Sequence, residues 1–280
     1  MTSLNEKIQS LTTQPITEQE QSAVIPTSLL HDVCPKCKGT GWIYYENEHG
    51  YMMGKICECG ERERQIIRDK LDFAELPEAF KDIELSKLTL SAYRTPEAKE
   101  KVRKCAAVIK YYLDNFDTML GEGMGLYIFG SVKGSGKTHM IAAIANEIIR
   151  KKRKSVKFAT SLQILSEIKA TWDIKDKAES KLLSDLSRVP VLIIDDFGTE
   201  NVKDWVQERF YQIINERYMN RKITMFTSNY SLESIDYDER ITNRIKERCY
   251  QLPFAEESLR ENKAEDSRQM IEDILKGKVV

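Results

Sequence analysis

A chain of 280 residues can hold one large domain, or a core domain with a smaller appendage. Its 41% apolar and 31% charged composition describes a folded, soluble protein, and 43 Lys plus Arg against 44 Asp plus Glu exclude a global basic attraction to DNA, leaving only local patches. The sequence has neither an apolar run of about eighteen residues nor a positively flanked apolar start, so a membrane span and secretion are not expected and the cytoplasm is the expected compartment.

Residues 1–30 mix "LNEKIQSL" with Thr, Gln and Pro, which predicts a short helix and then a polar stretch. Residues 31–60 hold two close cysteine pairs. "RERQIIRDKL" then reads as a helix with Ile66, Ile67 and Leu71 on one side. After "ELPEAF" the periodicity fades until about Glu97, where "EAKEKVRKCAAVIKYYLDNF" begins with Pro96 near its first turn. Downstream, the strand candidates "GLYIFG", "VKFAT", "VPVLIIDDFG" and "KITMFTSNY" alternate with helical "THMIAAIANEIIRKKRK", "SLQILSEIKATW" and "DWVQERFYQIINERYMN". "CYQLPF" is a last strand, followed by a polar helix-like tail from Ala255. Near-continuous apolar strands separated by helices predict a parallel sheet covered on both faces. The "KKRK" at 151–154 is expected to end a helix at the surface, with a phosphate-contacting patch as the alternative. The expected organisation is a cysteine-containing module over 1–60, a connector over 61–95 and the larger domain over 96–280.

Six cysteines in an expected cytoplasmic chain argue against a disulfide framework. Cys34 and Cys37 have C-x2-C spacing and Cys57 and Cys59 have C-x-C spacing, so four thiolates can satisfy tetrahedral Zn2+, with Lys36, Gly39 and Gly41 fitting the turn of a knuckle. His31 or His49 could stand in for one cysteine. Trp42, Tyr44, Tyr45 and Tyr51, between the pairs, fit a small hairpin. Cys105 and Cys249 stand alone and read as buried small hydrophobes.

"FGSVKGSGKTH" follows a strand and opens a helix, the context that a phosphate loop demands. Gly130, Gly134 and Gly136 let the backbone curl so that N–H groups, Ser135 among them, face a polyphosphate such as that of ATP. Lys137 reaches the terminal phosphates, Thr138 holds the Mg2+ that rides on them, and His139 belongs to the same cofactor-binding stretch. The strict spacing would place the first glycine at residue 131, whereas Gly130 sits one residue earlier, so the front of the loop is lengthened. "VPVLIIDDFG" delivers two carboxylates to the end of a buried strand, where unpaired charge is costly unless it serves a metal or a water. Asp195 is assigned to the Mg2+ side and Asp196 to orienting or deprotonating the attacking water. Among Thr227, Ser228 and Asn229, at the tip of another strand, Asn229 is chosen to bond the terminal phosphate or that water.

Together, "GLYIFGSVKGSGKTHMIAAIANEI", "LIIDDFGTE", "WVQERFYQIINERY", "TMFTSNY" and "RITNRIKERC" resemble the ATPase domain of bacterial and phage replicative helicase loaders, a branch of the AAA+ ATPases. The resemblance spans roughly residues 75–265 with its segments in the family's order. It implies an α/β P-loop core with a five-stranded parallel sheet between helices, preceded by a small zinc-binding domain. It also implies an arginine acting in trans on the adjacent subunit's nucleotide, which falls on Arg244, and one sensing nucleotide in cis, which falls on Arg260. Either could instead be a surface salt-bridge residue, with Glu247, Glu256 and Glu257 close in sequence.

The activity implied is hydrolysis of ATP to ADP and phosphate, weak in the isolated protein. The partners implied are a hexameric replicative helicase held by the N-terminal module, single-stranded DNA, and further copies of the chain assembled with ATP. The DNA contacts are expected in the ATPase assembly, where Lys203 and nearby helix residues are candidates without an assignment. A transposition helper ATPase of the same branch, acting on duplex DNA, is the alternative, and the cysteine knuckle argues against it. An adaptor using ATP as a structural ligand is disfavoured by intact Lys137, Asp195 and Asp196, and a metabolic kinase by the lack of a separate substrate domain.

Overall fold

The computed structural model describes residues 33–87, 89–172 and 178–275. The helix expected within 1–30, and His31, lie outside the described residues. Contacts divide the chain into two compact units, Met1–Arg64 and Gln65–Val280.

In the first unit β1 (Trp42–Glu46) pairs antiparallel with β2 (Met52–Ile56), Trp42 standing opposite Ile56 and Glu46 opposite Met52. Asn47 closes the hairpin, its Oδ1 accepting the N–H groups of His49 at 3.0 Å and Tyr51 at 2.9 Å. The cysteine-bearing turn before β1 needs left-handed backbone at Gly41, where a Cβ would lie 2.7 Å from the Arg62 nitrogen. The helix read from "RERQIIRDKL" is present as α1 (Glu61–Ala74).

In the second unit, Ile67 and Leu71 of α1 are partly buried and Ala74 fully so. Single 3-10 turns at Glu78–Phe80, Leu85–Lys87 and Leu90–Ala92 lead to α2 (Pro96–Asp114), capped by Thr95 with Pro96 in its first turn, and to the short α3 (Phe116–Glu122). Then follow β3 (Gly125–Phe129), α4 (Lys137–Lys152), β4 (Val156–Thr160), α5 (Ser161–Ala170), α6 (Ala178–Arg188), β5 (Val191–Asp195), α7 (Asp204–Met219), β6 (Ile223–Ser228), α8 (Glu239–Arg248), β7 (Cys249–Pro253) and α9 (Leu259–Leu275). The helical tail therefore begins at Leu259 rather than at Ala255, because Phe254 and Ala255 are buried and continue the packing of β7. Among the described residues no helix is long and apolar enough to cross a membrane.

The five strands of this unit form one parallel sheet in the order β4-β5-β6-β3-β7. Alternate residues of each strand feed two separate cores: Val191 and Ile193 of β5 pack with α2 and α4 on one face, Leu192 and Ile194 with α5 to α8 on the other. Burial on both faces is why these strands read as continuous apolar runs. The α/β core expected from the sequence is thus present. Crossovers leave β3 between β6 and β7, so the loop after β3 meets the tips of β5 and β6 at the carboxyl edge, where such sheets bind ligands. The segment between α1 and α2 is strapped onto α4, where Asn146 Nδ2 donates to the carbonyls of Phe80 at 2.8 Å and Ile83 at 3.1 Å. Cys105 and Cys249 are buried, as expected.

One structural residue has no counterpart in the sequence reading. Arg217 of α7 is completely buried, and its guanidinium donates to the carbonyls of Leu186 (2.7 Å), Val189 (2.9 Å) and Ile223 and to the Thr224 hydroxyl (2.9 Å). It thereby ties the end of α6 to the start of β6. Arg217→Ala orphans these buried carbonyls and opens a cavity, so a loss of about 3–5 kcal/mol is expected in a urea titration. A loss below about 1 kcal/mol would show that the carbonyls find other partners.

Candidate nucleotide site

The loop between β3 and α4 is shaped by Gly134 and Gly136, with φ of 75° and 105°. At Gly136 a Cβ would sit 2.9 Å from the Tyr93 hydroxyl, which donates to the Ser135 carbonyl at 2.7 Å. Gly130 corrects the expectation of three curling glycines, since its φ is not left-handed. Its N–H donates to the Ser228 carbonyl at 3.2 Å, and its own carbonyl receives Lys137 Nζ at 2.8 Å. Val132, in the lengthened front of the loop, accepts the same ammonium at 3.0 Å. Lys137 is 5% exposed, and burial holds it below the usual lysine range against the opposing charges of Asp196 and Asp195.

Asp195 ends β5 with its two carboxylate oxygens 3.1 and 3.0 Å from Thr138 Oγ1, and it also accepts from the Thr227 hydroxyl. It is 3% exposed, and burial pushes its carboxyl up to about 6 although both hydroxyls pull the other way. A buried carboxylate beside a hydroxyl at the start of the loop helix is a hard oxygen donor set that suits Mg2+. Asp196 lines the adjoining cavity of about 640 Å³ together with Lys137, Thr138, His139, Thr199 and Asn229. Thr227 and Ser228 are buried and bonded to the turn after β5, Ser228 Oγ donating to the Phe197 carbonyl at 2.6 Å, so Asn229 is the polar residue of this strand tip that faces the cavity.

The remaining wall of the cavity comes from Phe80 and Tyr93, which precede α2, and from Leu259, Arg260 and Lys263 of α9. The Leu259 N–H donates to the Gly134 carbonyl at 3.0 Å, bringing the Arg260 stem to 3.1 Å from where a Gly134 Cβ would stand. The acidic neighbours that suggested a surface pairing for Arg260 are engaged elsewhere. Glu256 pairs with Lys101 at 3.5 Å, and Glu257 accepts from Thr95 Oγ1 (2.6 Å), the Arg94 N–H (2.6 Å) and Asn262 Nδ2 (2.6 Å). Burial alone would raise Glu257, but these bonds bring it down to about 2. Arg244 does not line this cavity. On α8 it donates to Asn215 Oδ1 at 2.8 Å, the Tyr211 hydroxyl at 3.2 Å and the Arg240 carbonyl at 2.7 Å, its guanidinium 4.9 Å from the centre of the Tyr211 ring. Lys203, before α7, is exposed.

Residues 122–267 match the family described as IstB-like ATP binding protein. The chain belongs to this family. The chain is also similar to the phage-like element PBSX protein XkdC of Bacillus subtilis, 27% identical over 222 residues that make up 77% of this chain and 79% of that protein. The replicative helicase loader DnaC of Escherichia coli K12 is 30% identical over 139 residues, 49% of this chain and 55% of the loader. A solved crystal structure of the DnaC helicase loader superposes with a TM-score of 0.54 at 27% identity, covering 64% of this chain and 99% of that one. The five-stranded parallel core of this IstB-like chain is therefore the AAA+ core of those loaders.

The family match leaves out the cysteine pairs, which stand on their own geometry. The four Sγ atoms of Cys34, Cys37, Cys57 and Cys59 lie within 4.8 Å of one another, with Cys34 to Cys57 at 3.8 Å and Cys37 to Cys59 at 3.6 Å. Those separations are far too long for disulfides, and they match the edge of about 3.8 Å of a tetrahedron with Zn–S bonds of about 2.3 Å. Backbone N–H groups of Cys37 and Lys36 bring the Cys34 thiol down to about 7, favouring the thiolate that a metal needs. His49 is exposed in the hairpin turn, apart from the four sulfurs.

Proposed function

We propose that this chain is an ATP-dependent helicase loader, which binds a hexameric replicative helicase through its N-terminal module and delivers it to single-stranded DNA in the cytoplasm. The observation that carries the hydrolytic part is the junction of Thr138 with Asp195 beside a cavity that Lys137, Asp196 and Asn229 share. In this reading Lys137 neutralises the terminal phosphates and Thr138 and Asp195 hold Mg2+, which polarises those phosphates when bound. Asp196 orients the attacking water, Asn229 bonds the water or the phosphate, and Arg260 with His139 contacts nucleotide in cis.

Arg244, outside its own chain's cavity and bonded to neutral groups, serves the nucleotide of an adjacent copy, which makes assembly a requirement for turnover. Cys34, Cys37, Cys57 and Cys59 hold Zn2+ as a structural ion. The division of labour is a helicase-contacting module over 1–60, a connector over 61–95 that walls the nucleotide cavity through Phe80 and Tyr93, and the ATPase domain over 96–280 with Lys203 on the DNA side. Names of relatives support the loader reading, since two proteins matched over about half their length or less are replicative helicase loaders.

Light scattering on the zinc-replete protein mixed with its host's replicative helicase and ATP is expected to give a stable complex, weakened about tenfold or more by Lys137→Ala as nucleotide binding is lost. No complex in any nucleotide state, together with ATP-dependent binding of duplex DNA, would replace the loader by the transposition helper.

A further inference from the structure

Asp196 has a φ of 54°, a left-handed backbone that aspartate adopts more readily than most side-chain-bearing residues and that local hydrogen bonds stabilise. The turn that carries it is pinned at both ends. The Asp196 N–H donates to Thr227 Oγ1 at 3.0 Å, and its carbonyl accepts from Thr199 Oγ1 at 2.8 Å and from Ser161 Oγ at 3.1 Å. Behind the turn lies a second carboxylate, Glu200, which is 7% exposed and does not line the cavity. It accepts from Ser161 Oγ at 2.6 Å, from the Gly198 N–H at 3.2 Å and from the Tyr237 hydroxyl. The single Ser161 hydroxyl proton is shared between these two acceptors, more strongly with the nearer carboxylate, and so links Glu200 to the Asp196 carbonyl.

Tyr237 is also buried, its ring stacked on Phe197 with centroids 4.6 Å apart and planes 9° from parallel. Burial and the Glu200 charge keep its phenol protonated and hence a donor. Gly198 completes the turn, since a Cβ there would lie 2.6 Å from Ile235. One carboxylate thus gathers the start of α5, the turn after β5 and the residue before Asp238, which caps α8, the helix bearing Arg244.

We infer that Glu200 is a positioning residue that holds Asp196 toward the phosphate end of the cavity, acting through Ser161, Gly198 and Tyr237 without touching nucleotide. The inference rests on the proposed role of Asp196 in hydrolysis. A buried network kept only for stability would look the same in a melting curve, so the readout has to separate turnover from binding.

Glu200→Gln and Tyr237→Phe are compared with the wild-type protein in the presence of helicase and DNA. Measured are kcat and KM for ATP, the affinity for a fluorescent ATP analogue, and amide hydrogen exchange over residues 196–200. The expected result is a fall in kcat of about tenfold or more, with KM and analogue affinity within about threefold, because displacing a catalytic group by an ångström is that costly. Faster exchange confined to the turn is expected with it, and Glu200→Gln should add little in an Asp196→Asn background. Unchanged kcat in variants that melt lower would overturn the inference and leave Glu200 structural. Should Glu200→Gln fail to fold, Tyr237→Phe and Ser161→Ala are judged by the same two criteria. If the wild-type protein turns over no ATP in any mixture, the hydrolytic reading fails, and exchange at the turn decides the anchoring separately: faster exchange upholds it and unchanged exchange overturns it.

Discussion

Asp195→Asn is expected to make the metal-free, nucleotide-free protein more stable at pH 8 while lowering ATP turnover by about a hundredfold or more. Burial raises this carboxyl from an ordinary 3.8 to about 6, so the folded state binds the proton more tightly than the unfolded chain does. The stability tied to protonated Asp195 is full below the unfolded-state value and is lost as pH rises through about 6. At pH 8 the ionised group therefore costs the fold up to about 3 kcal/mol, from roughly two units at 1.36 kcal/mol each. Asparagine has the same shape without the charge, and the Thr138 and Thr227 hydroxyls can turn to suit it. Urea titrations at pH 8 and pH 4 in the presence of chelator measure the gain, which should shrink toward zero at the lower pH. A variant less stable than the wild type by the same margin at both values would refute a charge cost at this position. The same burial that weakens the empty fold leaves a carboxylate in need of a cation, a local violation of stability rules expected at functional sites.

Those violations are also what made much of the site legible in the sequence. Two acids ending an apolar strand, and glycines before a lysine and a threonine, make poor sense as packing, and the structure brings Lys137, Thr138, Asp195, Asp196 and Asn229 to one edge of the sheet. The sheet was legible for a related reason, since strands buried on both faces cannot alternate. Gly130 was misread because its spacing resembles that of a curling glycine, whereas its carbonyl has work that any residue could do. Glu200, Arg217 and Tyr93 left no signal at all. Each lies in a helical or loop stretch where a charged or aromatic residue is ordinary, and each has a partner distant along the chain, 28 residues away for Arg217, 37 for Glu200 and 42 for Tyr93. Nor could periodicity find the cavity wall contributed by Phe80, which sits in a one-turn 3-10 helix too short to show a period.

Removing the proposed Zn2+ from the cysteine cluster is expected to unfold the β1–β2 hairpin while the parallel sheet keeps its protection. The described part of the N-terminal unit has almost no core of its own. Its buried side chains are Cys37 and Cys57, whereas Tyr44, Tyr51, Met52 and Ile56 are each 60% or more exposed. A two-stranded hairpin without a packed face is marginal in water, so under the proposed zinc reading the free energy that orders it comes from ligation, worth about 10–16 kcal/mol in small structural zinc peptides. Native-state hydrogen exchange with and without chelator measures this directly. Amides of residues 42–56 should exchange about a hundredfold faster or more once the metal is gone, and Cys57→Ser should reproduce the change without chelator. The thiols add a pH signature, because metal must displace their protons and Cys59, despite the Glu61 N–H, is held up to about 11 by burial and its sulfur neighbours. Metal should accordingly leave, and the hairpin lose protection, as the pH falls. Full protection in protein verified to be zinc-free would mean that contacts other than ligation order the hairpin.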